Sequence, residues 1–342
     1  MKVLVTGANG YIGSNLVDYL LAKRDEAAPP TYEVRGMVLP GTPLDNLSSA
    51  LGAPNFELVE GDLLSPATLE RAVSGVEVVF HLAALVTDWA PKRKFLEVIR
   101  DGTRHLLEAA TAAGVRRFVY MSTLAVHRRK GHVGGDENTP RDEKKNPYAW
   151  AKHLAEDLLA EAWKAGSLET VVVRPGWVIF GPRDLLSFGQ LARALEDGRM
   201  AFINGGNKLI SHVYVGNLVA ALEHLASSPA EKVAGQTFVA ADGSHTWREF
   251  IGAVCTRIGA KVPQRSFPYG VVAPFVWLME KVYKLARAKN PPPLTMYRIS
   301  IPRRDIDFKS DKLLATGFSF PFTFEEGMDR ACAWYAEHSR KK

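Results

Sequence analysis

Hydrophobic residues in the first half of the chain form short continuous runs, and stretches with helical periodicity separate these runs. A continuous run of β-branched and other apolar residues is typical of a strand that is buried on both faces. Six such runs are present, at residues 2–6, 33–39, 56–59, 77–82, 117–121 and 169–174. Apolar residues that repeat every three or four positions predict helices at residues 12–23, 67–73, 95–113 and 148–165. Because strands alternate with helices, we predict an α/β fold with a doubly wound parallel sheet of the Rossmann type.

The alternation ends near residue 175. Prolines become frequent after residue 260, and no further strand–helix–strand unit is evident there. We therefore predict a first domain over residues 1–175, joined by residues 210–245, and a smaller mixed α/β region over residues 176–342.

The composition is that of a globular protein, with 46% hydrophobic and 23% charged residues among 342. Cys255 and Cys332 belong to no cluster with metal-ligand spacing, so we predict no metal site and a reducing compartment. Glycines follow the first few apolar residues of the chain, and this apolar stretch is too short for a signal peptide. The longest apolar run, at 271–279, is too short to span a bilayer. We predict a cytoplasmic location, with membrane association through residues 271–288 as an alternative.

The formal net charge is +6, and basic residues gather at 127–130, 281–289 and 340–342. Aromatic residues do not interleave with them in a stripe, and acidic residues share the loop after the first cluster. Solvated surface explains these clusters better than nucleic-acid binding does, so we predict no nucleic-acid partner.

The sequence Thr6-Gly-Ala-Asn-Gly-Tyr-Ile-Gly13 follows the first predicted strand and opens the first predicted helix. Gly7 would permit a tight turn, Gly10 would let a pyrophosphate approach the backbone, and Gly13 would let the helix pack closely on the sheet. This context predicts that the first domain binds a dinucleotide.

Two Tyr–Lys pairs have the same spacing of four residues, Tyr148 with Lys152 and Tyr19 with Lys23. Residues four apart share one face of a helix, so spacing alone does not distinguish the pairs. Tyr148 opens the helix after the fifth strand, 25 residues beyond Thr123, where a strand end and a helix start can converge. Tyr19 lies on the first helix, where we expect its pairing with Lys23 to be a solvated surface contact.

Taken together, these motifs resemble those of the extended short-chain dehydrogenases/reductases. The resemblance also rests on the stretches Gly61-Asp-Leu-Leu64, His81-Leu-Ala-Ala84, Ser122-Thr123 and Arg174-Pro-Gly-Trp-Val-Ile-Phe-Gly-Pro182. It implies that Asp62 meets the adenine amino group, that the backbone near Ala83 and Ala84 lines the cofactor, and that Pro175 sits beside the nicotinamide. The cofactor-binding residues that it implies are Gly7, Gly10, Tyr11, Ile12, Gly13, Asp62, Leu63, Ala83, Ala84, Tyr148, Lys152 and Pro175.

By the same resemblance, Tyr148, Lys152 and Thr123 are the catalytic residues. A neighbouring ammonium and a positive nicotinamide ring would lower the pKa of Tyr148 towards neutrality and make it the general acid/base. Lys152 would tune Tyr148 and hold the nicotinamide ribose, and the Thr123 hydroxyl would hydrogen-bond the substrate oxygen. Ser122 is the alternative for this third role.

Two positions depart from the family pattern. Relatives usually carry an Asn, joined to a water relay behind the lysine, where this chain has Ile99, so proton exit by that route is in question. At the end of the second strand, Val38-Leu39-Pro40 has neither an acid for a ribose 2′-hydroxyl nor an arginine for a 2′-phosphate; Arg35 lies earlier and Asp45 later. Without a partner, a 2′-phosphate loses more binding free energy than a 2′-hydroxyl does. We therefore predict NAD as the cofactor, with NADP still open.

Motifs in the second half, such as 211–221 and 234–243, resemble the 3β-hydroxysteroid dehydrogenase branch. The segment 271–288 has an apolar stripe, and its basic residues lie outside this stripe. The stripe consists of residues 272, 275, 276, 279, 282 and 283. Core packing or a substrate lid explains this segment better than an interfacial membrane helix, which is the alternative. If the family fold holds, Trp89, Trp177 and Phe188 are positioned around the substrate cleft.

We therefore predict an NAD(P)-dependent oxidoreductase that acts on a secondary alcohol or ketone of a bulky apolar substrate, 3β-hydroxysteroid or sterol-like. One alternative is a nucleotide-sugar epimerase or dehydratase, with Arg183 and Lys208 on the diphosphate; another is a cofactor-binding protein without turnover. The resemblance also implies a homodimer across the helices near 95–113 and 148–165. Apolar residues in excess of one sheet-facing stripe are Leu106, Leu107, Leu154, Leu158, Leu159 and Trp163.

Overall fold

The computed structural model describes residues 1–23, 31–87, 89–127, 130–141, 143–286, 288 and 290–339. The strands in this part of the chain are β1 (Lys2–Thr6), β2 (Glu33–Val38), β3 (Phe56–Glu60), β4 (Val78–His81), β5 (Arg117–Met121), β6 (His132–Gly135), β7 (Glu169–Pro175), β8 (Val178–Phe180), β9 (Phe202–Ile203), β10 (Leu209–Tyr214), β11 (Gln236–Ala240), β12 (Gly243–Thr246), β13 (Ser266–Phe267) and β14 (Ile306–Phe308). The helices are α1 (Tyr11–Ala22), α2 (Pro66–Val73), α3 (Lys92–Phe95), α4 (Gly102–Ala112), α5 (Pro147–Lys164), α6 (Phe188–Glu196), α7 (Val215–Ser227), α8 (Ala230–Val233), α9 (Trp247–Ile258), α10 (Tyr269–Leu285), α11 (Met296–Ser300), α12 (Asp311–Leu314) and α13 (Phe324–Ser339).

The large sheet contains seven parallel strands in the order β11-β7-β5-β4-β1-β2-β3. The predicted doubly wound parallel fold is therefore confirmed, and all six predicted strands are present within one or two residues of their predicted ends. The chain runs outwards from β1 in one direction and from β4 in the other. The gap between the carboxyl ends of these two strands is the switch point where such folds bind ligands.

Two apolar cores cover the two faces of this sheet. Val3 and Val5 point into one core, which α1 and α7 complete, whereas Leu4 points into the other. This alternation follows from the two-residue period of a strand. The second core includes residues of α4 and α5, the helices that follow β4 and β5.

The predicted helix at 95–113 is present as far as Ala112, but it is not α-helical throughout. Between α3 and α4 the chain forms a π-helical segment, Leu96–Asp101, which contains Ile99. Such wide turns are rare and occur frequently at functional sites.

A smaller mixed sheet in the order β12-β10-β14-β6, with β8 paired to β10, combines strands of the second half with β6 from the first half. Strand β11 nevertheless joins the large sheet beside β7. The division into residues 1–175 with 210–245, and 176–342, stays a prediction.

The apolar residues expected at a dimer interface are partly used within one chain. Leu106, Leu107 and Leu159 are buried in the core, so that part of the interpretation is wrong. Leu154 and Leu158 are half-buried, and Trp163 is exposed on one side while its ring packs over Gly235. The homodimer stays a prediction, which light scattering at micromolar concentration would test. Among the described residues, no helix has the length and apolar character that crossing a membrane requires.

Candidate active site

The glycine motif forms the tight turn that its sequence predicts. Gly7 has a φ of +68°, which L side chains rarely adopt, and a Cβ there would lie 3.0 Å from the Cα of Ala83. A Cβ on Gly13 would lie 2.1 Å from the carbonyl oxygen of Gly7. Helix α1 therefore starts directly against the turn, and no side chain caps its N-terminus at Gly10. The exposed backbone N–H groups and the helix dipole of such a terminus suit a phosphate group.

The loop after β4 is fixed beside this turn by Thr6. The Oγ1 of Thr6 accepts hydrogen bonds from the backbone N–H of Leu82 at 3.2 Å and of Ala83 at 3.1 Å. The same oxygen lies 2.9 Å from Nδ1 of the buried His81. Two predicted cofactor residues, Gly7 and Ala83, are thus brought together at the switch point of the sheet.

Other predicted cofactor residues flank the turn. Tyr11 and Ile12 are half-buried in the first turn of α1, and the Tyr11 hydroxyl is buried without a hydrogen-bond partner in the described part of the chain. Burial, followed by the nearby Asp184 and Tyr214, raises the pKa of Tyr11. Asp62 is half-buried, and its carboxylate accepts a hydrogen bond from the backbone N–H of Leu64 at 2.9 Å.

Leu63, in contrast, is buried inside the protein. A Cβ on Gly102 would lie 2.8 Å from the Cβ of Leu63, so this glycine lets α4 approach the loop after β3. Packing accounts for the Leu63 side chain, and only its backbone could line a cofactor.

Helix α5 carries the predicted Tyr148 and Lys152. Asn146 caps the helix by accepting a hydrogen bond from the backbone N–H of Ala149 at 2.9 Å, and Pro147 occupies the first helical position, where it is favoured. The Lys152 ammonium is buried, donates a hydrogen bond to the carbonyl oxygen of Met121 at 2.6 Å, and lies 4.6 Å from the centre of the Tyr120 ring. Met121 ends β5, so this contact joins α5 to the carboxyl end of the sheet.

The pKa values differ from the sequence expectation. Burial lowers the pKa of Lys152 from 10.5 to about 7, although Glu156 acts in the opposite direction. Burial, followed by the proximity of Tyr297, raises the pKa of Tyr148. The Lys152 ammonium, which is directed at Met121 and the Tyr120 ring, is not among the groups that shift the pKa of Tyr148, and the expected lowering by a bound nicotinamide stays a prediction. In this structure Tyr148 is a protonated phenol at neutral pH.

The neighbouring hydroxyls of Ser122 and Thr123 have different surroundings. Ser122 is buried and donates a short hydrogen bond to Oε1 of Glu156. Thr123 is half-buried, and its Oγ1 accepts a hydrogen bond from the backbone N–H of Ala125 at 3.1 Å. The geometry therefore favours Thr123 over Ser122 for contact with a substrate oxygen.

The sequence interpretation missed a charged cluster behind these hydroxyls. Arg174 donates from Nε and Nη2 to the two carboxylate oxygens of Glu156 at 2.9 and 2.6 Å, and Arg141 donates to the same carboxylate at 2.9 Å. These guanidinium contacts keep the pKa of the buried Glu156 below its usual value although burial alone would raise it. One signal was available: Glu156 follows Lys152 by four residues and so shares its helix face.

The structure also shows what surrounds Ile99. Its side chain is buried in the core, and its carbonyl oxygen accepts a hydrogen bond from Oγ1 of Thr103 at 2.5 Å. That threonine oxygen lies 3.1 Å from Nε2 of His81. Burial, followed by repulsion from Lys152, lowers the pKa of His81 to about 3, so its ring is neutral near pH 7.

Pro175 ends β7 and is buried beside the start of the second region. A Cβ on the next residue, Gly176, would lie 2.5 Å from the backbone of His212, so β7 and β10 approach closely here. Trp177 is half-buried and lines a small cleft that encloses about 30 Å³. Residues that line the cleft with it include Leu124, His127, Ile301 and Phe308.

The other two predicted substrate residues lie elsewhere. Phe188 is buried in the apolar core with residues such as Ala192 and Leu195, so the structure favours packing over substrate contact for this residue. Trp89 is half-buried, and its Nε1 donates a hydrogen bond to the carbonyl oxygen of Ala288 at 3.0 Å. It therefore connects the loop after β4 to the end of α10.

The end of β2 presents no cation. Leu39 is exposed there, whereas Arg35 is buried and donates to the carboxylate of Glu57 and to the carbonyl oxygens of Arg71, Ala72 and Ser74. Because these contacts occupy its guanidinium, Arg35 is not available for a 2′-phosphate.

The second Tyr–Lys pair has a structural role. Lys23 forms an ion pair of 2.6 Å with Glu223, and its ammonium lies 5.8 Å from the centre of the Tyr19 ring. Burial raises the pKa of Tyr19, and Lys23 only partly opposes this.

Comparisons with known proteins agree with this architecture. Residues 4–269 match the model of the 3-beta hydroxysteroid dehydrogenase/isomerase family. A 2-alkyl-3-oxoalkanoate reductase of Stenotrophomonas maltophilia is 28% identical over 312 residues, which are 87% of this chain and 88% of that protein.

Two solved structures are similar over nearly the full length. The crystal structure of gox2253 has a TM-score of 0.79 at 26% identity and covers 99% of both chains. UDP-glucuronic acid 4-epimerase from Bacillus cereus in complex with NAD has a TM-score of 0.76 at 19% identity, over 98% of this chain and 99% of that one.

These matches confirm the predicted enzyme class, an extended short-chain dehydrogenase/reductase. The chain belongs to the 3-beta hydroxysteroid dehydrogenase/isomerase family.

Proposed function

We propose that this protein is an NAD-dependent oxidoreductase that interconverts a secondary alcohol and a ketone on a bulky apolar substrate. The observation that carries the proposal is the hydrogen bond from Lys152 to the carbonyl oxygen of Met121. It holds the start of α5, with Tyr148 one turn away, against the strand end that continues into Thr123. This contact supports a site in which an acid, an amine and a hydroxyl act together at the carboxyl end of β5.

The residues present fit a dinucleotide. The turn at Gly7 and the uncapped N-terminus of α1 suit a pyrophosphate, and the backbone of Ala83 borders the same space. NAD fits the end of β2 better than NADP does, because Leu39 is exposed there and Arg35, which could meet the 2′-phosphate of NADP, is occupied by other contacts. When bound, nicotinamide supplies hydride transfer.

The protein's own groups would manage the proton and the developing charge. Tyr148 is protonated at neutral pH, so in ketone reduction its phenol would donate the proton to the substrate oxygen. The Thr123 hydroxyl would donate a hydrogen bond to that oxygen and stabilise its negative charge. Lys152 would orient the ribose, while Met121 and Tyr120 fix its position.

The small cleft that Leu124 borders, directly after Thr123, supports an apolar substrate. Leu124, Trp177, Ile301 and Phe308 contribute apolar area to its lining. The name of the matched family and the name of the oxoalkanoate reductase both describe substrates with large hydrocarbon parts.

The alternative is a nucleotide-sugar epimerase or dehydratase. Lys208 pairs with Asp305 at 2.8 Å and Arg183 with Asp18 at 2.5 Å, so a sugar diphosphate would compete with carboxylates for both cations. The observation that favours the alternative is Nη1 of Arg183, which is buried without a hydrogen-bond partner among the described residues.

A nicotinamide absorbance assay decides between these functions. The purified enzyme is incubated with NAD(H) or NADP(H) and with sterols, 3-hydroxysteroids, 2-alkyl-3-oxoalkanoates or nucleotide sugars. We expect turnover with apolar alcohols or ketones, and chromatography of the nucleotide-sugar mixtures should show no epimer or dehydrated product. Conversion of nucleotide sugars without turnover of apolar compounds would establish the alternative.

A further inference from the structure

Helix α10 displays an apolar stripe to solvent. Val271, Phe275, Leu278, Val282 and Leu285 follow one another at intervals of four, three, four and three residues, so they share one face of the helix. Their exposed fractions are 55%, 72%, 56%, 55% and 87%. Of the predicted stripe at 272, 275, 276, 279, 282 and 283, Phe275 and Val282 lie on this exposed face, whereas the other four positions are half-buried or, for Val276, buried. Core packing therefore accounts for only part of the apolar surface of α10.

The opposite face of α10 holds the helix to the protein. Val276 is buried, and the carboxylate of Glu280 accepts a hydrogen bond from the backbone N–H of Met296 at 2.6 Å. Just beyond the helix, Trp89 bonds to the carbonyl oxygen of Ala288. Helical periodicity places Val276 and Glu280 on the side away from the stripe. The stripe thus points away from the body of the protein, and no residue of α10 is among those that line the cleft, which argues against a lid.

The charges around the stripe are positive. Between residues 267 and 290 the sequence contains Lys281, Lys284, Arg287 and Lys289 but one acid, Glu280, which faces the protein. Lys281 is exposed, and its ammonium lies 5.6 Å from the centre of the exposed Trp277 ring. Lys284 is also exposed, and its ammonium lies 3.5 Å from the Glu280 carboxylate and 5.5 Å from the centre of the Trp89 ring. Lysine and tryptophan beside an apolar helix face are typical of helices that lie in a membrane interface.

We propose that α10 docks the protein on the surface of an anionic lipid bilayer. The five stripe residues would enter the boundary between headgroups and acyl chains, and the cations would meet the lipid phosphates. A second copy of the chain fits this surface less well. A two-fold contact between two α10 helices would bring the like-charged clusters together, and the centre of a protein interface is usually depleted of lysine.

The docked orientation would place the enzyme next to lipid-dissolved compounds. Through Trp89, the end of α10 touches the loop after β4, whose start at Ala83 borders the glycine turn. Docking does not depend on the proposed catalytic function, because lipid binding is measured without substrate.

Vesicle flotation tests the proposal directly. The full chain is mixed with vesicles of phosphatidylcholine alone or of phosphatidylcholine with phosphatidylglycerol. We expect flotation with the anionic vesicles, weakened by salt, and much less with the neutral ones. The double variant Phe275→Ser and Leu278→Ser should lose at least about tenfold in vesicle affinity. Lys281→Gln with Lys284→Gln should lose the preference for anionic lipid.

Matched controls separate this surface from general stickiness. Val133 and Leu186 are also highly exposed, at 74% and 79%, but lie outside α10. Val133→Ser with Leu186→Ser should float like the unchanged protein, and circular dichroism melting should show that all variants are folded. The proposal is overturned if the unchanged protein stays unbound at low salt, or if the control loses as much affinity as the α10 variant. A smaller mass by light scattering for the α10 variant, without vesicles, would assign the stripe to self-association instead.

Discussion

The Lys152 ammonium donates its hydrogen bond to the carbonyl oxygen of Met121, at 2.6 Å. A buried cation is thereby tied to the last residue of β5, and its second neighbour is the Tyr120 ring. Burial destabilises the charged form by more than these contacts and the nearby Glu156 stabilise it. The pKa of Lys152 therefore falls to about 7. This relationship has consequences for both stability and catalysis.

The first prediction concerns the pH dependence of stability. The pKa of Lys152 is about 7 in the folded protein against an ordinary value of 10.5, so between these values the unfolded chain binds more protons. The free energy of unfolding should rise with pH through this window, relative to a Lys152→Met variant, by roughly 1.4 kcal/mol per pH unit. Below pH 7 the full cost of burying the charge is present. Urea unfolding of both proteins from pH 6 to pH 10 measures the difference. Parallel curves of unfolding free energy against pH would show that the pKa of Lys152 is the same in the folded and the unfolded chain.

The second prediction concerns Tyr148. Removing its hydroxyl in Tyr148→Phe should lower turnover by roughly 10² or more, because proton transfer to the substrate oxygen is lost. Cofactor affinity should change little, which fluorescence titration would measure. Tyr19→Phe is the control, since Tyr19 is equally spaced from a lysine but lies beside the Lys23–Glu223 ion pair. A fully active Tyr148→Phe enzyme, or an inactive Tyr19→Phe enzyme, would contradict the assignment.

The third prediction concerns cofactor choice. Leu39 is exposed at the end of β2, and Leu39→Arg would place a guanidinium where a 2′-phosphate lies in this fold. The ratio of kcat/KM for NADP to that for NAD should rise by about tenfold. Leu51→Arg adds the same charge at a similarly exposed position before β3 and should leave the ratio unchanged. An unchanged enzyme that already prefers NADP would refute this part of the proposal.

Local sequence patterns predicted the features that local chemistry determines. The strands are continuous apolar runs, Gly7 lies in a turn and Gly13 at the start of α1 where a Cβ would meet backbone atoms, and Tyr148 and Lys152 share a helix face by spacing. The position of the Lys152 ammonium was not predictable, because its partner Met121 is 31 residues distant in the chain. Charged contacts between distant segments, such as Glu156 with Arg174, likewise have no signature in either segment alone.

Packing explains the remaining errors. Phe188 and Leu106 look like candidates for a cleft or an interface, but each fills its own chain's core. Helix α10 shows the reverse case, because its apolar content predicts burial while only Val276 is buried. Periodicity identifies an amphipathic face, and only the three-dimensional arrangement shows what covers that face.

The last prediction concerns substrate contact at Trp177. This side chain lines the cleft beside Leu124, directly after Thr123, and we expect a hydrocarbon whose oxygen is bound at Tyr148 to extend into that cleft. Trp177→Ala should therefore weaken the binding of apolar ketones by about tenfold or more while NAD affinity stays the same. Trp334→Ala is the matched control, because Trp334 stacks on His338 in the C-terminal helix, with ring centroids 4.2 Å apart. Isothermal titration of both variants with the best substrate from the absorbance assay gives the comparison. Equal losses in the two variants would point to general destabilisation, and no loss in Trp177→Ala would place the substrate outside this cleft.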